Sequence, residues 1–182
     1  MEQIHTEIDA KMKIRYRIFK WFNRTYLLNF NMGIILLNFI VQRIFRINSK
    51  MPILVHFTSR IDNPQNLIYP SDCDAVKKSL FISGNCYFTC AHKVFIGRGT
   101  IFAPGVIIQT INHVPGKLNQ YVGNEVRIGE NCWLGAGCVI LPGVTLGDNV
   151  VVGANAVVTK SVGSNVVIAG VPAKEIKKIE ID

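Results

Sequence analysis

The sequence lacks an uninterrupted apolar run long enough to cross a bilayer. Its most apolar stretch, residues 26–41, has 16 residues and is interrupted by three asparagines and Gly33, whereas a membrane-spanning helix needs about 20. No cleavable signal is expected either, because acidic residues open the chain and no small-residue cleavage site follows the apolar run. These absences predict a cytoplasmic protein without a transmembrane span.

Acidic residues are scarce, with 12 Asp and Glu against 20 Lys and Arg. Residues 1–50 hold nine of the basic residues and three of the acids, so most of the net charge of +8 lies there. Within this segment Ile14, Ile18, Phe22 and Tyr26 recur at helical spacing among basic residues, which predicts a basic amphipathic helix. Such a helix either packs in the protein, through the domain end or another subunit, or lies on an anionic membrane. Nucleic-acid binding is not favoured, because the aromatic residues follow the apolar stripe.

The five cysteines are odd in number and lack the spacing of a disulfide framework, so we expect free thiols. No two of His56, His92 and His113 have the local spacing of zinc ligands, and no metal site is expected. His56 lies between two apolar residues and is interpreted as structural. His92 falls in an irregular stretch and is expected to be exposed at a corner.

Residues 126–160 repeat every six positions. Each unit has an aliphatic anchor, namely Ile128, Leu134, Ile140, Leu146, Val152 or Val158. Glycine or asparagine, the residues that most readily adopt positive φ, stands three residues after each of the first five anchors and after Ile96 and Phe102. The resulting corners are Gly99, Gly105, Asn131, Gly137, Gly143, Asn149 and Asn155. The pattern predicts short strands joined by tight corners.

A six-residue unit cannot bury its anchor alone, so successive units must stack. With three units to a coil, anchors three units apart become neighbours at about 4.8 Å, the spacing of adjacent strands. We therefore predict a mainly β protein built as a parallel β-helix, with an N-terminal helical segment.

The hexapeptide pattern, the segment Trp133-Leu-Gly-Ala, the segment Val157-Val-Thr-Lys160 and the closing Ala169-Gly-Val-Pro-Ala173 resemble the left-handed β-helix acyltransferases, among them bacterial sugar and polysaccharide O-acetyltransferases. Left-handedness follows from this resemblance alone, because parallel crossovers are generally right-handed. The expected organisation is a basic helical segment over residues 1–58, an extended connector over 59–79, the β-helix over 80–171 and a tail over 172–182.

The repeat is interrupted between Ile108 and Ile128, which predicts a projecting loop over residues 112–125. His113 lies at its start, where the resembling acetyltransferases carry their catalytic base. A neutral imidazole takes the proton of an acceptor hydroxyl as it attacks a thioester, without an acyl-enzyme. A backbone N–H near residues 133–135 is a candidate donor for the oxyanion.

The resemblance implies acetyl-CoA as co-substrate, bound along the coils beside a neighbouring subunit of a homotrimer. Carried over residue by residue, its expected contacts are Trp133, Gly135, Ala136, Ala154, Thr159, Lys160, Lys174 and Lys177. Gly135 and Ala154 also suit the repeat geometry itself, so their presence alone does not distinguish the two roles.

The sequence indicates the acceptor of the acetyl group less directly than the donor. Maltose- and galactoside-type enzymes place a sugar-binding carboxylate in the early coils, where this sequence reads TCAHK. We therefore expect the acceptor to be a hydroxyl of a surface-glycan precursor of capsule, exopolysaccharide or lipopolysaccharide, handled at the inner face of the plasma membrane, either free or lipid-linked. The alternatives are a soluble O-acetyltransferase of small molecules and a non-catalytic β-helix scaffold.

Overall fold

The computed structural model describes residues 32–180, which form two α-helices, a 3-10 turn at Pro64–Asn66 and sixteen short strands. The helices are α1, Met32–Arg43, and α2, Asp74–Ile82. The strands are β1 Arg60–Asp62, β2 Leu67–Ile68, β3 Tyr87–Thr89, β4 Val94–Ile96, β5 Ile101–Phe102, β6 Ile107–Gln109, β7 Ile111–Val114, β8 Lys117–Gly123, β9 Val126–Ile128, β10 Trp133–Leu134, β11 Val139–Ile140, β12 Thr145–Leu146, β13 Val151–Val152, β14 Val157–Val158, β15 Val166–Ala169 and β16 Lys174–Lys178.

Most of the strands stack into three parallel sheets, which are the faces of a β-helix. Face 1 contains β1, β3, β6, β11 and β14, and face 2 contains β2, β4, β9 and β12. Face 3 contains β5, β10, β13 and β15, with β16 antiparallel at its edge. The chain visits the faces in this order, making five coils over residues 60–82, 87–102, 107–134, 139–152 and 157–169. The predicted β-helix is confirmed.

The predicted pairing of anchors three units apart is also confirmed. Ile128 pairs with Leu146, Leu134 with Val152, and Ile140 with Val158. All six side chains are at most 3% exposed and form a column inside the coils. Burial of this column, at about 25 cal/mol per Å² of apolar area, is the main stabilising contribution of the repeat.

The corners have the backbone conformation that their residue types favour. All seven predicted corners have positive φ, from 53° at Asn131 to 81° at Gly143. One residue later the chain points inward again, and these small side chains are buried: Cys132, Cys138, Val144, Val150 and Ala156. A larger side chain at these positions would compete with the anchors for the narrow interior.

Three insertions lengthen individual coils without disturbing their neighbours. Ile61 pairs with Phe88, so the first coil contains more residues than a regular coil of three six-residue units. Helix α2 accounts for the additional residues. The second insertion is small, since Phe88 pairs with Ile108 after a coil only slightly longer than three units. The largest lies between Ile108 and its partner Ile140, and it is accommodated by β7 and β8, which pair as an antiparallel hairpin.

The prediction of an extended connector over residues 59–79 is wrong in two respects. The first coil already begins at Arg60, because β1 pairs with β3 on face 1. Residues 74–82 form the helix α2, which has no proline to interrupt it after Pro70 and which buries Val76, Leu80 and Phe81. Ile82 ends this helix and is 50% exposed.

Helix α1 has its polar side chains inward. Asn38 and Gln42 are buried, whereas Leu36, Ile44 and Phe45 are at least 54% exposed on and just after the helix. Within residues 32–180 no helix is long and apolar enough to cross a membrane. The predicted basic amphipathic helix lies outside the described residues.

All five cysteines are buried with free thiols. Cys132 and Cys138 occupy the small inward positions of the repeat. Burial raises the pKa of the Cys90 and Cys138 thiols to about 12. Because the thiolate is the reactive form, these thiols are inert at neutral pH.

Candidate active site

The predicted projecting loop is the β7–β8 hairpin, which leaves the corner between face 1 and face 2 in the third coil. We call this corner, in every coil, corner 1–2, and the corner between face 3 and face 1 corner 3–1. Gly116, with φ of 77°, allows the tight turn between the two strands. His113 lies on β7 opposite Tyr121 of β8 and is exposed.

The His113 ring is oriented by a backbone hydrogen bond inside the hairpin. Its Nδ1 lies 2.7 Å from the carbonyl oxygen of Leu118. A carbonyl can only accept, so Nδ1 carries the proton and donates it. In the neutral ring Nε2 is then unprotonated, with its lone pair directed away from the hairpin backbone. This is the tautomer that a general base requires.

Two further side chains support the hairpin, and sequence reasoning assigned neither to the site. The Tyr121 ring packs against the His113 ring, with centroids 4.5 Å apart. His92, exposed at its corner as predicted, lies against Gly123 at the base of the hairpin, where any side chain at position 123 would meet its ring. Both contacts depend on strand pairing across an insertion that has no repeat, so the sequence carries no signal for them.

Four of the predicted acetyl-CoA contacts lie together on face 3 and at corner 3–1. Trp133 is 53% exposed on β10, and Ala136 and Ala154 occupy equivalent exposed positions one coil apart. Gly135 is buried, and a Cβ there would lie 2.7 Å from the amide nitrogen of Ala154. Stacking of the coils therefore requires glycine at position 135, whatever binds outside.

The corner at Ala136 and Ala154 presents unused backbone donors. Within the described residues neither amide makes a hydrogen bond, although the flanking amides of Gly135 and Asn155 donate to the adjoining coils. The amides of Trp133 and Gly135 also donate within the ladder, so the oxyanion donor expected over residues 133–135 fits the Ala136 amide better. Two exposed donors about 4.8 Å apart can bind successive carbonyl groups of an extended ligand.

The remaining predicted contacts are cationic or polar and exposed. Lys177 pairs with Val167, which continues a cross-strand row through Val151 to Trp133 on face 3. Lys174 lies on the same edge strand. Thr159 and Lys160 instead follow β14 at corner 1–2, two coils beyond the hairpin.

The predicted site is thus divided between two corners of one chain. His113, Thr159 and Lys160 lie at corner 1–2, whereas Trp133, Ala136, Ala154 and the two C-terminal lysines lie at corner 3–1 or on face 3. Face 1 separates the two groups. Six residues, as from Gly137 to Gly143, connect one corner to the next, which corresponds to at most about 20 Å of extended chain.

No cluster of three His, Cys, Asp or Glu side chains within residues 32–180 is arranged to hold a metal ion. His56 has a structural environment. Its Nδ1 lies 2.9 Å from the Thr58 hydroxyl, its ring stacks on Phe57, and burial lowers its pKa.

Comparisons with known proteins agree with the repeat. Residues 125–160 match the family model described as hexapeptide repeat of succinyl-transferase. A protein of Dictyostelium discoideum named as an acetyltransferase is 52% identical over 110 residues, which cover 58% of each chain. A protein of Escherichia coli K12, named for O-acetyl transfer in lipopolysaccharide biosynthesis, is 43% identical over 99 residues, 47% of this chain and 50% of its own. The chain spans about half the length of the curated relatives it matches.

Solved structures agree with the fold. A maltose O-acetyltransferase from Clostridium difficile 630 is 37% identical, with a TM-score of 0.57 over 68% of this chain and 64% of its own. A galactoside acetyltransferase in complex with coenzyme A is also 37% identical, with a TM-score of 0.50 over 52% of this chain and 50% of its own. By its repeat and its left-handed parallel β-helix, the chain is similar to the hexapeptide-repeat sugar O-acetyltransferases over the part that these comparisons cover.

Proposed function

We propose that this protein is an acetyl-CoA-dependent O-acetyltransferase in which His113 is the general base. The observation that carries the proposal is the 2.7 Å hydrogen bond from His113 Nδ1 to the Leu118 carbonyl. It leaves Nε2 as a proton acceptor on a side chain that projects from a rigid scaffold. The names of the relatives support the same activity.

The reaction needs one proton carrier and no protein nucleophile. Nε2 takes the proton of the acceptor hydroxyl while its oxygen attacks the thioester carbonyl. The tetrahedral intermediate then expels the thiolate of coenzyme A, which receives the proton from the imidazolium. General base catalysis of this kind contributes about 10² to 10⁴ in rate.

The donor would lie along face 3 and corner 3–1. The unused amides of Ala136 and Ala154 suit the carbonyl oxygens of the thioester and the pantetheine arm. Lys174 and Lys177, exposed at the edge of face 3, supply positive charge for the phosphates, and Lys160, exposed at corner 1–2, would do so from a neighbouring copy. The bound coenzyme A of the related galactoside acetyltransferase supports this ligand.

A complete site requires a second copy of the chain, and we propose a homotrimer. The base at corner 1–2 of one copy would meet corner 3–1 of the next, since face 1 separates the two corners within a chain. Outward apolar rows on faces 1 and 3 suit such a contact: Tyr87, Ile107, Val139 and Val157 on face 1, and Ile101, Trp133, Val151 and Val167 on face 3. Face 2 presents Arg127 over the Phe95 ring instead.

The acceptor we propose is a hydroxyl of a surface-glycan precursor. The corner at residues 90–93 carries no carboxylate, and the hairpin is short, which leaves an open cleft beside His92, Asn124 and Asn66. The carboxylate that lines this cleft, Glu125, is paired with Arg127 at 2.7 Å. The name of the Escherichia coli relative, in lipopolysaccharide biosynthesis, supports this class.

We also propose peripheral contact with the cytoplasmic face of an anionic membrane. The outward residues of α1 and the turn after it are apolar, including Leu36, Ile44 and Phe45. The sequence around them is basic, with nine Lys and Arg against three acids in residues 1–50. An apolar surface flanked by cations is the combination that binds anionic bilayers.

A thiol-release assay with acetyl-CoA tests the activity, against free sugars, nucleotide sugars, lipid-linked oligosaccharides and xenobiotics, together with flotation on anionic liposomes. We expect turnover of glycan precursors and binding to the liposomes. Efficient turnover of a free small molecule without liposome binding would favour the soluble alternative. No turnover and no thermal stabilisation by saturating coenzyme A would favour the non-catalytic scaffold.

A further inference from the structure

A cavity of about 630 Å³ opens at the first coil, away from the coenzyme A groups. It lies between the segment that follows α1, residues 50–53, and residues 64–71 of the first coil. Its lining includes Lys77, which projects from α2. The proposed donor site uses none of these residues.

The cavity combines apolar walls with a positive charge withdrawn from the surface. Met51, Ile53 and Leu67 are at most 7% exposed and line it. Lys77 is also only 7% exposed, yet within residues 32–180 its ammonium makes no hydrogen bond and no ion pair. The carboxylate of Asp72, which lies near enough to attract this ammonium, is already bonded to Arg98 at 2.8 Å.

The ammonium therefore has no bonded partner within residues 32–180 and is available to an anion that enters the cavity. Lys50, exposed at the mouth of the same cavity, adds a second positive charge. A pair of lysines at the end of an apolar cleft suits a ligand that carries a phosphate or diphosphate next to a larger body.

The cavity and the His113 hairpin share one corner of the β-helix. Residues 63–66 at the cavity form corner 1–2 of the first coil, and the hairpin leaves corner 1–2 of the third. Two strand spacings, about 10 Å along the axis, separate them. A second cleft, lined by Asn66, His92 and Asn124, lies between them.

We propose that this cavity binds the phosphate or diphosphate of the acceptor, with Lys77 and Lys50 as its cationic partners. The proposal rests on the proposed function and specifies the acceptor: its sugar would extend along corner 1–2 to the base. Two sources share this chemistry, namely a prenyl-diphosphate sugar and a nucleotide-diphosphate sugar. In the first the apolar walls hold the start of the lipid, and in the second they hold the nucleoside.

Isothermal titration calorimetry on the full chain tests the proposal, with farnesyl diphosphate, uridine diphosphate and uncharged farnesol as probes. We expect at least one diphosphate to bind more tightly than farnesol. Lys77→Met should weaken that binding about tenfold or more, because a charge-assisted hydrogen bond is lost. Lys77→Arg should retain most of it, and Lys78→Met, an exposed neighbour on the same helix, should leave it unchanged.

Loss of the fold does not explain the expected effect, because Lys77→Met removes no hydrogen bond or ion pair of the described residues and replaces the side chain by an apolar one of similar length, so Tm should change little. Binding of farnesyl diphosphate alone would support a lipid carrier, binding of uridine diphosphate alone a nucleotide carrier, and binding of both a shared diphosphate site. The proposal is overturned if neither diphosphate binds more tightly than farnesol, or if Lys77→Met and Lys78→Met weaken binding equally. A parallel titration with coenzyme A separates the two proposals, since binding of coenzyme A without either diphosphate would reject the cavity alone.

Discussion

His113 illustrates how a single backbone contact selects the chemistry of a residue. Bonding of Nδ1 to the Leu118 carbonyl fixes both the tautomer and the plane of the ring, and the Tyr121 ring restricts its rotation. An imidazole held in this way needs no carboxylate partner to present Nε2 to a hydroxyl.

Replacement of His113 by glutamine should lower kcat by about 10² to 10⁴, because glutamine cannot accept the proton at neutral pH. Coenzyme A should still bind, since none of the proposed contacts with it is altered. Steady-state thiol release and calorimetric titration measure the two properties separately. Equal activity of the variant and the wild type would reject the role of the histidine.

The amide of Ala136 should act on the developing oxyanion. Ala136→Pro removes the N–H, and no hydrogen bond of the described residues depends on it, since Ala136 takes part through its carbonyl oxygen alone. We expect kcat to fall by about 10² to 10³, the effect of losing one oxyanion donor. Ala136→Ser retains the N–H and should retain activity. Similar losses in both variants, at unchanged Tm, would assign the effect to shape rather than to the donor.

At the scale of elements, the six-residue unit depends on its corner. Asn155 turns the chain with φ of 56°, and its side chain makes no hydrogen bond in the described part of the protein. Its contribution is therefore the ease with which asparagine adopts the left-handed conformation.

Asn155→Ala should destabilise the protein by about 1 kcal/mol, because a Cβ-bearing residue without a local polar partner is strained there. For a protein of this size the expected fall in Tm is about 2–4 °C. Asn155→Gly should leave Tm nearly unchanged. Thermal unfolding of the three proteins measures this, and an equal loss in the glycine variant would indicate that the asparagine side chain itself stabilises the corner.

Helix α1 is attached through a buried amide. Gln42 Nε2 donates to the Ile53 carbonyl at 2.8 Å, and its Oε1 accepts from the Val55 amide at 3.0 Å. Gln42→Ala leaves both backbone groups buried without partners, at a cost on the order of 2–4 kcal/mol. Hydrogen exchange at the Val55 amide should accelerate, whereas Leu36→Ala, on the outward side of the helix, should not change it. Unaltered protection in Gln42→Ala would show that α1 is held by other contacts.

The regular part of the fold was predictable because a period of six residues fits a parallel β-helix of stacked coils and no other regular structure. Anchors, corners and inward positions each require a residue class, and Ile128, Asn131 and Cys132 occupy the roles that their types suggest. The insertions were not predictable to the same degree. Helix α2 follows a proline-rich segment that favours extended chain. Its last residue, Ile82, is aliphatic like an anchor of the repeat, although its side chain is 50% exposed.

The site was predictable as a set of residue types and not as an arrangement. The broken repeat and the resemblance together single out His113. The division of the predicted residues between corner 1–2 and corner 3–1 depends on the winding of the coils, which becomes visible only when each strand is assigned to a face. The Leu118 carbonyl belongs to the backbone, so no residue type indicates it.

At the scale of the whole molecule, one chain presents the residues of the proposed site in two groups that face different directions. The proposed base, His113, lies at one end of face 1 and the unused amides at the other. In the homotrimer that we propose, cyclic association would bring the first group of each copy to the second group of the next. The outward apolar rows on faces 1 and 3 would be covered in the same step.

The most direct test of this arrangement is complementation between two inactive variants. His113→Gln and Ala136→Pro are coexpressed with different tags, and doubly tagged trimers are assayed for thiol release beside each variant alone. If each site takes its base from one copy and its amide donor from the next, every mixed cyclic trimer contains one intact site, and we expect about a third of wild-type activity. If the site lies within one chain, every chain carries a defect, and mixed trimers as inactive as the separate variants would contradict the shared site.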